Sequence, residues 1–144
     1  MHRLLTLFAL LTGFSLLFPA CNSGGDPELV VTNEITIEVF LPAEGEVISM
    51  AASNSKIDLK VQAQAEVELH QITMSIYPEG DESNPIWENE GHGDGNELWE
   101  YGGEVALSNF NTMGNFVLQV TACGEHMCQG SNIVTVLRNF EITP

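Results

Sequence analysis

Alternating side chains between residues 114 and 123 place the strongest constraint on what this chain can fold into. The apolar members of the alternation are Phe116, Leu118, Val120 and Ala122. A period of two is typical of a half-buried strand, because successive side chains of a strand point to opposite faces of its sheet. A short loop bounded by Cys123 and Cys128 follows, and residues 131–142 resume the strand pattern. The stretch therefore predicts a β-hairpin that ends a β-sheet protein.

Short alternating segments recur from residue 30 onwards, without a helical period. Before the hairpin, the predicted strands are 30–41, 57–65, 72–76, 86–90, 97–101 and 103–107, and a short extended segment is predicted at 45–50. Turn residues at 77–85 and a glycine-rich loop at 91–96 separate some of them. The predicted core lies on the apolar faces of three strands: Leu59, Val61, Ile72, Met74, Ile76, Phe116, Leu118 and Val120. About seven short strands predict an all-β fold, an immunoglobulin-like β-sandwich, with an open barrel as the alternative.

The chain from Pro42 to its C-terminus resembles the immunoglobulin-like and cadherin-like modules of bacterial surface proteins. The resemblance rests on the alternating strand 57–65, the region around Trp87, and the hairpin strand with its loop and final strand. In those modules the loop often carries an aspartate–glycine–asparagine turn. Here the loop is bounded by Cys123 and Cys128 instead, so the resemblance implies no calcium site.

Residues 1–20 have the features of a cleaved targeting segment. Arg3 provides a basic start, and residues 4–18 form an apolar run that is too short to span a bilayer. Ala20 stands directly before Cys21, and this arrangement resembles the lipobox of bacterial lipoproteins. The resemblance implies lipidation of Cys21 by acyl chains such as palmitate, which would anchor the protein in a membrane. An ordinary signal peptide with an unrelated cysteine is the alternative.

Residues 21–29 form a tether that is rich in glycine, serine and acidic residues and lacks an apolar face. A short acidic tether after the cysteine resembles that of surface-exported lipoproteins of Bacteroidota. The resemblance implies a location in the cell envelope, at the outer membrane, either in the periplasm or on the cell surface. Residues 30–144 then form one domain of ordinary size.

The chain is strongly acidic, with 20 acidic and 4 basic residues and a formal charge of −16. Removal of residues 1–20, which hold Arg3 and no acid, brings the charge to −17. Nucleic acids and anionic lipid headgroups both require neutralising cations, so neither is expected as a partner. The expected partners are the membrane, through the lipid at Cys21, and a protein or small ligand of unknown identity.

Two cysteines remain once Cys21 is assigned to lipid. An oxidising compartment outside the inner membrane favours a disulfide between Cys123 and Cys128. The alternative is a metal site that uses these two thiols together with His126.

The three histidines of the mature chain, His70, His92 and His126, fall at the start of a predicted strand or in predicted loops. In an immunoglobulin-like sandwich these positions meet at one end, so the histidines form a hypothetical Zn²⁺ or copper site. Ordinary loop histidines are the alternative. The sequence has no Gly-x-Ser-x-Gly motif and no thiol left as a nucleophile, so an enzyme is not expected. The leading hypothesis is a non-catalytic, lipid-anchored binding or adaptor module, and the second is a metal-binding lipoprotein.

Overall fold

A computed structural model describes residues 32–51, 55–125, 128, 130 and 132–144. The targeting segment 1–20, Cys21 and the tether therefore lie outside the described residues, as does His126. The described strands are β1 (Ile35–Leu41), β2 (Glu46–Ser49), β3 (Lys56–Pro78), β4 (Trp87–Ala106), β5 (Gly114–Cys123) and β6 (Ile133–Thr143). One 3₁₀ turn, Leu107–Asn109, follows β4. The prediction of an all-β fold is confirmed. No helix within the described part of the chain is long and apolar enough to cross a bilayer.

Strand β3 is the central strand of the fold, because it pairs with three other strands along its 23 residues. Its first half pairs antiparallel with β1 on one edge and with the second half of β4 on the other. Its second half pairs antiparallel with β5 on the first edge and with the first half of β4 on the second. The first half of β3 thus belongs to one group of paired strands, and its second half belongs to another.

The remaining strands extend the second group. Strand β6 pairs antiparallel with β5 over its whole length, and the short β2 pairs parallel with β6. The two groups are therefore β1–β3–β4 and β4–β3–β5–β6–β2, with β3 and β4 common to both. Short extended structure was predicted at residues 45–50, and β2 occupies most of that stretch.

The described residues form six strands where about seven short ones were predicted, because three of the predicted boundaries between strands are wrong. The predicted strands 57–65 and 72–76 are both parts of β3, and those at 86–90, 97–101 and 103–107 are parts of β4. The glycine-rich stretch 91–96 is thus not a loop between strands. It is the bend of β4, where Gly93 packs so closely on Leu69 that an added Cβ would collide with the carbonyl oxygen of Leu69. Gly95, with φ of +76°, supplies a left-handed conformation at the same bend.

The bend of β3 is irregular and depends on a side chain from outside the strand. Residues 65–68 of β3 lie opposite a single residue of β4, so their backbone cannot form a continuous ladder there. Asn33 fills this gap. Its Oδ1 accepts hydrogen bonds from the backbone N–H of Val67 at 2.9 Å and of Glu68 at 3.4 Å. Its Nδ2 donates to the Glu68 carbonyl at 2.7 Å. One amide therefore satisfies three backbone groups that the bend leaves unpaired.

Arg138 ties the two strand groups together at the opposite end of β1. It lies on β6, and its Nη2 donates to the Val39 carbonyl of β1 at 3.3 Å. Its Nη1 lies 3.5 Å from Oε2 of Glu44. Asn139 donates to Glu44 from both its side-chain amide and its backbone N–H. Chiefly the side-chain amide of Asn139, helped by its backbone N–H and by Arg138, lowers the pKa of Glu44.

The core lies between the inward faces of the strands and follows the predicted alternation. All eight residues that the sequence placed in the core are buried: Leu59, Val61, Ile72, Met74, Ile76, Phe116, Leu118 and Val120. Aromatic side chains add to it, since the Phe116 ring packs edge-on against Phe110 at 5.0 Å and stacks on Phe140 at 5.9 Å between centroids. The two long strands, β3 and β4, thus both contribute side chains to one continuous apolar cluster.

Truncation of an inward leucine should destabilise the fold far more than truncation of an outward one. Leu118 of β5 is fully buried, whereas Leu137 of β6 is 51 % exposed. We expect Leu118→Ala to lower the free energy of unfolding by about 2–5 kcal/mol, because it removes buried surface and leaves a cavity. Leu137→Ala is the matched control and should change it by less than about 0.5 kcal/mol. Urea denaturation measures both, and equal losses would show that the inward face of the sheet is misassigned.

Candidate functional site

The predicted Cys123–Cys128 disulfide is present, with an S–S distance of 1.97 Å and 5.4 Å between the Cα atoms. It closes the connection between β5 and β6 beside Gln71 of β3, which is the register partner of Cys123. The Cys128 sulfur lies 3.7 Å from Oε1 of Gln71. Both sulfur atoms are joined in this disulfide. The alternative in which the two thiols bind a metal is therefore wrong for this structure.

Two of the predicted metal ligands, His70 and His92, lie on paired strands. His70 belongs to β3, and His92 of β4 is the register partner of its neighbour Gln71. The positions predicted from sequence are therefore corrected, since neither residue starts a strand or lies in a loop: His70 lies within β3 and His92 within β4. The third predicted ligand, His126, lies outside the described residues.

Each of the two histidines faces a carboxylate. Nε2 of His70 lies 3.4 Å from Glu68, and Nε2 of His92 lies 3.8 Å from Glu90. Oε1 of Glu90 also accepts a hydrogen bond from Gln71 at 2.7 Å. Among the described residues, no group of three or more His, Cys, Asp or Glu side chains is arranged to hold a metal ion. The metal site therefore stays a prediction that depends on His126.

Aromatic side chains line the inner side of β4, which is an edge strand. The rings of Trp99 and Tyr101 stack with centroids 6.1 Å apart and planes 14° apart, and Trp87 packs against Tyr101 at 6.3 Å. All three are partly buried against the core. Gly91 makes room for this cluster, because an added Cβ would lie 2.5 Å from the Trp99 ring. The two tryptophans therefore pack at the edge of the core.

Acidic side chains occupy the opposite, outward side of β4 and its bend. Glu88, Glu90, Glu97 and Glu100 are all exposed, as a solvated face requires. Exposed carboxylates of this kind favour solubility and repel like-charged surfaces.

The outward face of β3, β5 and β6, which we call the uncharged face, adjoins Glu90 and Glu88 of β4, the register partners of Thr73 and Ser75. Two rows cross it: Thr73, Thr121 and Thr135 in one, and Ser75, Gln119 and Leu137 in the next. The hydroxyls of Thr121 and Thr135 lie 2.9 Å apart. Gln119 accepts a hydrogen bond from the Tyr77 hydroxyl at 3.1 Å. Burial, followed by the nearby charge of Glu82, raises the pKa of Tyr77, so its hydroxyl stays protonated as the donor.

Charge is missing from a long stretch of this face. The outward positions are residues 71–77 of β3, 115–123 of β5 and 133–139 of β6, counted every second residue, and none is Asp, Glu, Lys or Arg. Sequence alone did not indicate this face, because the rows exist only once the register of three strands is known. The signal present in the sequence was the set of polar residues in each alternating segment, such as Gln119 and Thr121.

No protein-family model matches this chain, and no curated protein matches it.

If His70, His92 and His126 form a metal site, substitution of either described histidine should abolish binding. We expect Zn²⁺ or Cu²⁺ to bind the tag-free domain, residues 30–144, tighter than micromolar by calorimetry, because three imidazoles complete a facial ligand set. His70→Ala and His92→Ala should each remove that heat, while Asp94→Ala, on the same bend, should leave it unchanged. No heat with the unmodified domain, or heat that survives both substitutions, would contradict the metal site.

Proposed function

We propose that this chain is a non-catalytic, lipid-anchored binding or adaptor module, displayed in the periplasm or on the cell surface. The observation that carries the binding role is the uncharged face of β3, β5 and β6. A chain with a net charge of −16 repels many surfaces, yet this face offers hydroxyls, amides and a few apolar groups without a carboxylate. The partner is a protein or a small ligand and not nucleic acid.

The chemistry of the face suits recognition. Threonine, serine and glutamine side chains donate and accept hydrogen bonds, and they are desolvated at far lower cost than a charged group. Ile133 and Leu137 add apolar surface on β6, with exposures of 44 % and 51 %. Depletion of charged residues next to exposed apolar ones is typical of the centre of a protein interface.

The scaffold supports the same proposal. The face stands on paired strands whose opposite side is the core, so its side chains are held in place before a partner arrives. The pairing orders are β1–β3–β4 in one group and β6–β5–β3–β4 in the other. They correspond to the A–B–E and G–F–C–C′ orders of an immunoglobulin-like sandwich, which supports that fold as a proposal. Fold likeness of this kind does not name a partner.

The anchor rests on the sequence of residues 1–21, which lie outside the described residues. Acyl chains on Cys21 would each contribute about 0.8 kcal/mol per buried methylene, enough to hold a small domain when more than one chain is present. The acidic tether would then give the domain freedom to reach a partner.

A metal-binding lipoprotein is the second candidate. The pairing of the strands that carry His70 and His92, each beside a carboxylate, favours it. A carboxylate next to an imidazole is the usual means of orienting a metal-binding histidine.

Site-specific photocrosslinking in cells tests the binding role. We expect a benzophenone amino acid in place of Thr135, at the uncharged face, to give a discrete crosslinked product. The matched control is the same replacement of Thr36, an exposed threonine of β1 on the other strand group. A product from Thr135 alone supports the proposal, and no product, or the same product from both positions, would overturn it.

The anchor is tested in the same cells. The full chain should partition into detergent, and Cys21→Ser should remain in the aqueous phase because it has no thiol to acylate. Equal partitioning of the two forms would remove the lipid anchor and leave the crosslinking result to decide the binding role alone.

A further inference from the structure

Strand β4 is a long edge strand. Over its 20 residues it pairs only with β3 among the described strands, so one side of its backbone has no strand partner there. The other described edges differ. Strand β2 has 4 residues, and β1 has 7 with an irregularity between Val39 and Leu41. Natural proteins protect sheet edges by making them short or bulged, and β4 is the described edge that is not short.

The second half of β4 is also regular. Leu98 to Ala106 pair with Gln64 to Lys56 one residue at a time, without a register shift. The bend of β4 and its irregular pairing lie before this segment, at residues 92–96. A regular edge presents its outward N–H and C=O groups at the spacing that an added strand requires. We call Leu98–Ala106 the regular edge.

Side chains on both faces of the regular edge define what an added strand must carry. On the inner side Trp99 and Tyr101 stack on each other and are only partly buried, so part of their ring surface is accessible. On the outer side Glu100 and Glu104 are exposed, Glu104 is paired with Lys56 of β3, and β4 itself contains no lysine or arginine. Leu98 adds apolar surface at 48 % exposure.

We propose that the regular edge of β4 is a docking site for an extended, cationic segment of another protein, which adds to the sheet as a further strand. Alternate side chains of that segment would be apolar, to cover Trp99 and Tyr101. The intervening side chains would include lysine or arginine, to face Glu100. A second copy of this chain fits poorly, because it would bring the same acidic strand and a further charge of −16 to the edge.

This site is separate from the uncharged face, which lies on β3, β5 and β6. Loss of one by mutation therefore leaves the other in place. The added strand would gain main-chain hydrogen bonds from the edge and selectivity from the alternating side chains, as in other cases where a peptide extends a sheet.

The probe is a synthetic ten-residue peptide with alternating lysine and valine and blocked ends. At saturation we expect at least about tenfold slower hydrogen exchange at alternate amides of residues 98–106, because those N–H groups acquire partners. A peptide of the same composition, with all its lysines first, cannot present two different faces and should give no such pattern. Unchanged exchange along the regular edge, protection on β1 instead, or equal protection by the control peptide would overturn the proposal.

Charge reversal supplies a matched pair of variants. Glu100 of β4 and Glu38 of β1 both stand opposite Gln62, on the two sides of β3, and both are exposed. We expect Glu100→Lys to weaken peptide binding by about tenfold, since it replaces attraction with repulsion, and Glu38→Lys by less than about twofold. Equal weakening would show general attraction to an acidic domain and overturn the site.

Two further measurements complete the test. Thermal melting shows whether each variant folds. If Glu100→Lys does not fold, Glu100→Gln is used in its place. Size-exclusion chromatography without peptide should show a monomer. A dimer that disappears in Glu100→Pro would show that a second copy occupies the edge and would overturn the assignment to a different protein.

Discussion

The backbone of β3 must bend between its two halves without leaving its N–H and C=O groups unpaired, and the rest of the fold depends on how it does so. A ladder cannot continue where four residues of β3 face one of β4. Water could satisfy such groups at the surface, but at this bend the Asn33 side chain takes three of them from one position. Leu69, next to the bend, is fully buried under Gly93, so the strand re-enters the core immediately. The bend is thus fixed by hydrogen bonds on one side and by close packing on the other.

Both proposed binding surfaces follow from this continuity. Since β3 and β4 run through both strand groups, the second half of β3 stands beside β5 and β6 and completes the uncharged face. The first half of β3 leaves β4 as the outer strand of a group with only three members. That group ends in a regular edge whose aromatic side chains are not fully covered.

The alternation of apolar and polar side chains within single strands could be predicted from the sequence. The connections between strands were predicted less well. The inward residues of β5 and the cysteine pair were predicted correctly, because period two and an oxidising compartment each depend on local information. The continuity of β4 was not predicted, because glycines 91, 93 and 95 have the composition of a loop. In the structure they serve close packing and a left-handed turn inside a strand. The position of His92 was predicted wrongly for the same reason. The rows of the uncharged face could not be predicted, because they depend on the register between three paired strands.

Replacement of Asn33 by alanine tests most directly whether the bend of β3 holds the fold together. The account predicts that Asn33→Ala lowers the free energy of unfolding by about 1–2 kcal/mol and speeds hydrogen exchange at Val67 and Glu68, because their N–H groups lose an acceptor. Asn84→Ala is the control, since within the described residues the Asn84 side chain bonds in its own turn, to Asp81 and Ser83. An Asn33→Ala protein as stable as the Asn84→Ala protein, with unchanged exchange at both amides, would contradict it.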